Sequence, residues 1–210
     1  MPILKIAKIN EKSAYAIWEI TEDVEKLREL VKNSANVQLP DADVTNEIKR
    51  AEWMAGRLLL SSLVKELGEQ YPGIYKDEYG KPHLKEIDLH ISLSHSYPLV
   101  AAIIHDSPVG IDVEQPKEKL RTIATRFLAE DEQKVCADNI ELLCTYWCAK
   151  EALYKLYGKK KLVFKENLAV NYQQKDGVVD LSGKVIVNGT TETYQLQVEK
   201  VKNSLLVHTL

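Results

Sequence analysis

The stretch Trp147-Cys148-Ala149-Lys150-Glu151-Ala152-Leu153-Tyr154-Lys155 lies in a predicted helix that runs from about Ile140 to Tyr157 and ends at Gly158. Side chains four residues apart stand one above the other on a helix, so Trp147, Glu151 and Lys155 share one face. This face presents a carboxylate next to an ammonium group. Ordinary surface ion pairs on a helix would give the same pattern, and Lys150 could point to either side.

A second stretch, Gly110-Ile111-Asp112-Val113-Glu114, alternates apolar and acidic residues. In a strand, side chains repeat every second residue, so Asp112 and Glu114 project from the same face. Alone, the pattern is typical of an edge strand with a solvated acidic face. Together with Glu151 it supplies three carboxylates, which suit Mg²⁺ because this ion completes its oxygen shell with waters and phosphates. Phosphate chemistry is therefore the first hypothesis.

The composition is that of a soluble globular protein. The chain has 210 residues, 45% of them hydrophobic, and a formal net charge of −3. This charge disfavours a general nucleic-acid binder. We expect a cytoplasmic protein without a membrane span, because no long apolar run or signal-peptide pattern occurs. The three cysteines lie close together in sequence and are expected to be small buried side chains in a reducing compartment.

The order of predicted elements indicates an α+β fold with two subdomains, residues 1–106 and 107–210. Trp53 and Trp147 are 94 positions apart, as are Ile17 and Ile111, which suggests a duplicated unit. In the first half a long helix is predicted from Asp43 or Thr45 to Gly68, and Tyr79-Gly80-Lys81-Pro82 is predicted to be a turn. We expect each subdomain to be an antiparallel sheet packed with a long helix. The two are expected to be related by a pseudo-twofold axis, with a ligand cleft between them.

Four motifs carry a resemblance to a known family: Gly80-Lys81-Pro82, Ser92-Leu93-Ser94-His95-Ser96, Gly110 to Glu114, and Trp147 to Lys155. Their order and spacing resemble those of 4′-phosphopantetheinyl transferases of the surfactin-synthetase-activating type. The segment Lys49 to Arg57 also resembles the enterobactin-associated branch. The resemblance spans roughly half the chain. It implies transfer of the 4′-phosphopantetheine arm of coenzyme A to a serine of an acyl or peptidyl carrier protein, with release of adenosine 3′,5′-bisphosphate.

The resemblance also implies roles for the acidic residues. Asp112, Glu114 and Glu151 would bind Mg²⁺, and the catalytic residues would be Glu114, Glu151, Lys155 and His95. Either one of the carboxylates or a water on the metal would take the proton from the acceptor serine, and this alternative stays open.

Coenzyme A would be bound by a larger set of residues. The resemblance implies contacts from Arg50, Arg57, Lys81, Pro82, Ser94, His95, Lys150 and Lys155. Arg50 and Arg57 are seven apart and so share a helix face, where a guanidinium suits a phosphate. His95 alone would more often satisfy a neighbouring backbone group, and Lys81 could be an exposed turn lysine. Ser92 stands where many family members have asparagine.

Two other functions are compatible with the residues. One is a non-catalytic module that binds a carrier protein or coenzyme A, and the other is a Mg²⁺-dependent nucleotide phosphohydrolase. A kinase, an ATPase or a Rossmann dehydrogenase is disfavoured, since neither phosphate-binding glycine motif occurs. We expect no nucleic-acid partner and a monomeric protein.

Overall fold

A boundary after Pro108 divides the chain into two units, the second of which begins at Val109. The computed structural model describes residues 3–159 and 161–210. Each unit contains an antiparallel sheet and a long helix, so the predicted α+β class is confirmed. In these described parts of the chain, no helix combines the length and the apolar character needed to cross a membrane.

The first unit is built on a four-stranded sheet. Its elements are β1 (Ile3–Asn10), β2 (Ser13–Glu19), α1 (Val24–Lys32), α2 (Glu47–Glu66), β3 (Ile74–Lys76), β4 (Pro82–Leu84), β5 (His90–Ser96) and β6 (Leu99–His105). The strand order is β1-β2-β6-β5, and α2 packs chiefly on the central strand β6. The core lies between them and includes Trp18, Leu59, Leu63 and Ile104.

Helix α2 begins later than the sequence predicted. The cap is Asn46, whose side-chain oxygen accepts a hydrogen bond from the Lys49 N–H at 3.0 Å, rather than Asp43 or Thr45. Asparagine is among the strongest residues at this position because it satisfies an otherwise unpaired amide. The strands β3 and β4 form a separate hairpin where the sequence predicted only turns. Strands of three residues are too short to show an alternating pattern.

The second unit is built on a five-stranded sheet in the order β7-β11-β10-β9-β8. Its elements are β7 (Ile111–Glu114), α3 (Lys119–Phe127), α4 (Glu130–Cys136), α5 (Ile140–Tyr157), α6 (Phe164–Asn167), β8 (Leu168–Lys175), β9 (Val178–Val187), β10 (Thr190–Val201) and β11 (Ser204–Thr209). Helix α5 has the predicted bounds, and Gly158 ends it at a φ of 71°. The left-handed conformation at this position suits glycine, which lacks a Cβ.

The two units share part of their strand arrangement. In the first, β2 is followed by two helices and the strands β5 and β6, and β6 pairs with β2. In the second, β7 is followed by its helices, and the last strand, β11, pairs with β7. The long helix packs on the returning strand in each case, α2 on β6 and α5 on β11. The arrangement β2-β6-β5 of the first sheet thus resembles β7-β11-β10 of the second, while β1 and the strands β9 and β8 extend the two sheets differently.

Lys150 of α5 is the centre of a buried polar network in the second unit. Its side chain is fully buried, and Nζ donates to Glu132 Oε2 at 2.6 Å, Leu168 O at 2.7 Å, Phe127 O at 2.8 Å and Phe164 O at 3.3 Å. Glu132 in turn accepts hydrogen bonds from the Ala129 and Val170 N–H groups. The network joins α5 to α4, to the end of α3, to α6 and to β8. Burial lowers the pKa of Lys150, and Glu132 opposes this shift.

The three cysteines are free thiols buried in the second unit, as expected from the sequence. Burial and the charge of Glu132 raise the pKa of Cys136 to about 12. Burial also raises the pKa of Cys148 well above its usual value. The thiolate is the reactive form of cysteine, so these side chains act as small core residues.

We predict that Lys150→Met lowers the free energy of unfolding by about 3–5 kcal/mol, because Glu132 would stay buried without its cation. Lys200→Met is the matched control: its ion pair with Glu141 has the same N–O distance of 2.6 Å, but the two side chains are 61% and 55% exposed. The control should stay within about 1 kcal/mol of the unchanged protein. Urea denaturation followed by circular dichroism measures both. Equal losses in the two variants would contradict the prediction.

Candidate functional site

The second unit brings Asp112, Glu114, Glu151 and Lys155 together, and we call this group the carboxylate cluster. Asp112 is 6% exposed, and its Oδ1 accepts a hydrogen bond from Lys155 Nζ at 2.7 Å. The same ammonium group donates to the Ile111 carbonyl oxygen at 3.1 Å. Lys155 thus ties the last turns of α5 to β7. Its predicted position beside the acidic residues agrees with this geometry.

Glu151 is the most perturbed acid of the cluster. Burial, followed by the charge of Asp112, raises its pKa to about 7, and Glu114 adds to this shift. Lys155 acts in the opposite direction, because its positive charge favours the ionised carboxylate. The three carboxylates therefore lie near enough to repel one another, and one of them holds its proton close to neutral pH.

The donor chemistry of the cluster fits a hard cation, although the side chains are not arranged as a finished metal site. Among the described residues, no three His, Cys, Asp or Glu side chains form a group that could hold a metal ion. Asp112 Oδ1 is turned to Lys155, while Glu114 Oε1 accepts from the Gln115 N–H at 2.8 Å and lies 3.4 Å from Lys117 Nζ. The cluster nevertheless offers carboxylate oxygens, which are ligands that Mg²⁺ prefers.

Gly110 allows the strand to approach the helix. A Cβ at this position would lie 1.8 Å from the Ala152 carbonyl oxygen, which is far inside any contact distance. The glycine is held by β11, since its N–H donates to Thr209 Oγ1 and its carbonyl accepts from the Thr209 N–H. The missing side chain is therefore what lets β7 lie directly against α5 and bring Asp112 within reach of Lys155.

A cavity of about 510 Å³ in the first unit gathers four of the predicted coenzyme A residues. Arg57 comes from α2, Pro82 from the β3–β4 hairpin, and Ser94 and His95 from β5. We call it the α2–β5 cavity. Lys49, Lys76 and the carboxylate Glu52 also line it, so the cationic side chains of its wall outnumber the acidic one. A polyanionic ligand suits such a surface.

Several residues of this cavity have no predicted role, although their spacing along the chain indicates that they belong together. Lys49, Glu52, Trp53 and Gly56 follow one another at steps of three, one and three residues, which places them on one face of α2. The Arg57 guanidinium lies over the Trp53 ring at 4.5 Å, and burial lowers the pKa of Arg57. The stacked ring fixes the direction of the guanidinium.

The structure does not bring Arg50 and Lys150 to these sites. Arg50 lines a different cavity of the first unit, of about 470 Å³, with Glu22, Asp23 and Tyr97. The spacing of seven residues does place Arg50 near the Arg57 side of the helix, but the cavity that Arg50 lines is formed with Val24 and Glu25 of α1. Lys150 is buried in its own network, which argues against the predicted contact with coenzyme A. Facing the core satisfies all three of its N–H groups.

Lys81 lies in the β3–β4 turn. The Asp77 carboxylate accepts from the Tyr79 and Lys81 N–H groups, both at 2.9 Å, which fixes the loop. His83 Nε2 lies 3.0 Å from the other oxygen of Asp77. Burial lowers the pKa of Lys81. The predicted turn lysine is thus held by a defined loop, and its neighbours Gly80 and Pro82 line the α2–β5 cavity.

Comparison with known proteins identifies the family. The family model described as the 4′-phosphopantetheinyl transferase superfamily matches residues 108–204. The 4′-phosphopantetheinyl transferase AcpT of Salmonella typhimurium is 33% identical over 133 residues, which cover 58% of this chain and 67% of the relative. The chain belongs to the 4′-phosphopantetheinyl transferase superfamily.

Two further members of the superfamily match shorter parts of the chain. The 4′-phosphopantetheinyl transferase psf-1 of Bacillus pumilus is 41% identical over 86 residues, covering 38% of this chain and 37% of the relative. The 4′-phosphopantetheinyl transferase Sfp of Bacillus subtilis is 31% identical over 110 residues, covering 50% and 49%. The predicted resemblance to the surfactin-synthetase-activating type is confirmed by these matches.

We predict that Gly110→Ala destabilises the transferase by about 3 kcal/mol or more, because overpacking against a backbone carbonyl cannot be relieved by a side-chain rotation. Gly56→Ala is the control, since a Cβ there meets only Leu93 and Val100 at 3.7 Å. Thermal denaturation should show a large loss for the first variant and almost none for the second. Similar melting temperatures would contradict the role given to Gly110.

Because the pKa of Glu151 is raised, we predict that Glu151→Gln increases the free energy of unfolding in metal-free buffer, by an amount that depends on pH. The unfolded carboxyl ionises near 4.5 and the folded one near 7, so the folded state binds more protons in this window. Stability then falls as the pH rises through it. Glutamine does not titrate, so the free energy of unfolding of the variant does not fall in this way. Relative to the unchanged protein it should rise by up to about 3 kcal/mol between pH 5 and pH 8.

Urea denaturation at several pH values, with a chelator present, measures this gain. Glu166→Gln is the control, because Glu166 is an exposed carboxylate of the same unit. A stability difference between the Glu151 variant and the unchanged protein that stays constant from pH 5 to pH 8 would contradict the predicted titration.

Proposed function

We propose that this protein transfers the 4′-phosphopantetheine moiety of coenzyme A to a serine of an acyl or peptidyl carrier protein, in a Mg²⁺-dependent reaction that releases adenosine 3′,5′-bisphosphate. Membership of the superfamily supports this function. The observation that carries it within this chain is the carboxylate cluster, in which Glu151 lies beside Asp112 and Lys155. The carboxylates suit Mg²⁺, and Lys155 suits negative charge that develops on a phosphate.

The reaction breaks the phosphoanhydride bond of coenzyme A and forms a phosphoester bond to the carrier serine. The serine oxygen of the carrier attacks the phosphorus that bears pantetheine, and a new P–O bond forms. The P–O bond to adenosine 3′,5′-bisphosphate breaks, so that this group leaves with the electron pair. The serine proton passes to a base. Reactions of this kind are accelerated mainly by positioning and by stabilisation of charge.

Residues of the second unit would supply the base and the charge stabilisation. The proton of the acceptor serine would pass to a carboxylate of the cluster or to a water beside it. Lys155 would balance negative charge on the phosphates, and its contact with Asp112 holds it in place. When bound, Mg²⁺ would be held by Asp112, Glu114 and Glu151 and would polarise the pyrophosphate, an effect worth several kcal/mol.

Residues of the first unit would bind coenzyme A. Arg57 suits a phosphate because its guanidinium is oriented by Trp53 and offers paired N–H donors. Ser94 and His95 add donors from β5, and the turn with Lys81 and Pro82 would lie along the remainder of the ligand. Arg50 and Lys150 are left out of this set because of where the structure places them.

We also propose that the protein acts as a cytoplasmic monomer. The buried free thiols are typical of a reducing compartment. One chain carries both the basic cavity and the carboxylate cluster, so no second copy is needed to supply either set. Light scattering at micromolar concentration tests the monomer, and the mass of two chains would contradict it.

The direct test is intact-mass spectrometry of purified apo carrier proteins after incubation with this protein, coenzyme A and Mg²⁺. Transfer adds about 340 Da to the carrier, and a chelator should prevent the gain if the reaction needs the metal. Coenzyme A consumed without a mass gain on any carrier would favour a phosphohydrolase. Coenzyme A bound but intact would favour a binding module.

The same assay tests the carboxylate cluster. We predict that Asp112→Ala and Glu151→Ala remain folded and lose about 100-fold or more in kcat, because each loses a group that acts on the reacting phosphates. Glu118→Ala removes an exposed carboxylate of the same unit and should keep the original rate. Unchanged turnover of either cluster variant at saturating Mg²⁺ would contradict the assignment.

A further inference from the structure

Glu52 is a buried carboxylate that none of the sequence motifs explains. It lies in α2, is 3% exposed, and lines the α2–β5 cavity. A carboxylate in such a place is costly unless charged or hydrogen-bonding groups compensate it. The groups that contact Glu52 therefore indicate its role.

The contacts of Glu52 reach the end of β5. Oε2 lies 3.1 Å from His95 Nδ1 and accepts a hydrogen bond from Lys49 Nζ at 2.7 Å. Oε1 accepts from the Tyr97 N–H at 3.2 Å. One side chain thus holds the imidazole ring and the backbone two residues further on. The His95 side chain is 46% exposed while its carboxylate partner is buried, so the ring is anchored on its inner edge.

This geometry decides which nitrogen of His95 carries the first proton. An ionised carboxylate only accepts hydrogen bonds, so Nδ1 must be the N–H that points to Glu52. Contact with a phosphate then falls to Nε2. A phosphate also only accepts, so Nε2 must carry a proton in the complex, and the ring bears a positive charge that Glu52 balances. A histidine without this partner could turn or adopt the other tautomer.

We propose that Glu52 is a positioning residue for coenzyme A binding: it orients His95 through Nδ1 and balances the charge of the ring when Nε2 contacts a phosphate of the ligand. The proposal rests on the proposed function, because it takes coenzyme A as the ligand of the α2–β5 cavity. The expected consequence is weaker binding of coenzyme A when the carboxylate becomes an amide, with little change in the rate at saturation.

Nitrogen-15 NMR of the imidazole rings tests the geometry directly. In the unchanged protein without ligand, His95 should carry its proton on Nδ1, and saturating coenzyme A should bring a second proton to Nε2. In Glu52→Gln the preference for Nδ1 should weaken, because the amide can accept a hydrogen bond from the ring or donate one to it. A neutral His95 with its proton on Nε2 in the unchanged protein would overturn the proposal, and this measurement does not depend on the folding of any variant.

A double-mutant cycle tests whether Glu52 acts through His95. By titration calorimetry with coenzyme A, Glu52→Gln should weaken binding about tenfold, as expected for the loss of a hydrogen bond to a charged group. In a His95→Ala background the same change should cost less than about twofold, because its target is gone. Full additivity of the two effects would overturn the proposal.

The control and the kinetics separate positioning from loss of structure. Glu47→Gln makes the same chemical change at an exposed position of α2 and should bind coenzyme A as the unchanged protein does. In the transfer assay Glu52→Gln should raise KM for coenzyme A about tenfold and change kcat less than about threefold. A fall in kcat without a change in KM would contradict the role.

Failure of the proposed function gives a different pattern. If the unchanged protein binds coenzyme A but transfers nothing to any carrier, the proposed function fails while the NMR and calorimetric tests of Glu52 still apply. If the protein transfers phosphopantetheine and Glu52→Gln binds coenzyme A normally, the proposed function stands and the role of Glu52 fails.

Discussion

The buried ion pair between Lys150 and Glu132 is the interaction on which the second unit depends. It fixes the rotation of α5 about its own axis, because Lys150 can reach its carbonyl partners from one direction only. Successive helix residues are about 100° apart, so this rotation also sets where Glu151 and Lys155 point. The carboxylate cluster thus inherits its geometry from a lysine that takes no part in the proposed chemistry. Both partners of the buried pair are needed, because removal of either one would leave the other as an uncompensated buried charge.

The carboxylates of the cluster lie close enough to repel one another. Gly110 lets the strand that carries Asp112 lie against α5, and Lys155 neutralises part of the charge that results. Burial, and after it the remaining repulsion from Asp112, raises the pKa of Glu151 to about 7. A bound cation would relieve this repulsion, because its charge favours the ionised carboxylates. Functional sites often show perturbed acids.

The first unit uses its long helix in a comparable way. Helix α2 presents Arg57 to the α2–β5 cavity and uses Trp53 to orient the guanidinium. On the same helix, the buried Glu52 contacts Nδ1 of His95, on the inner edge of the ring. In both units, therefore, charged side chains that face a cavity or cluster are held by neighbours on or against the long helix. Preorganisation of this kind matters because a phosphate ligand binds more tightly to donors that are already oriented.

Local sequence rules determined much of this protein. The bounds of α5 follow from its apolar period and Gly158, and the alternation in β7 placed Asp112 and Glu114 on one face. The turns at Asp176-Gly177 and Asn188-Gly189 also follow from local sequence, because all four residues have positive φ and these residue pairs favour two-residue hairpin turns. Only the tertiary structure decided that Lys150 is a core residue, that Arg50 and Arg57 line different cavities, and that Glu52 contacts His95. The physical reason is the distance along the chain over which each effect acts. Periodicity and capping involve residues within a few turns of one another. Lys155 and Asp112 are 43 residues apart, and their contact depends on how the helix packs against the strand.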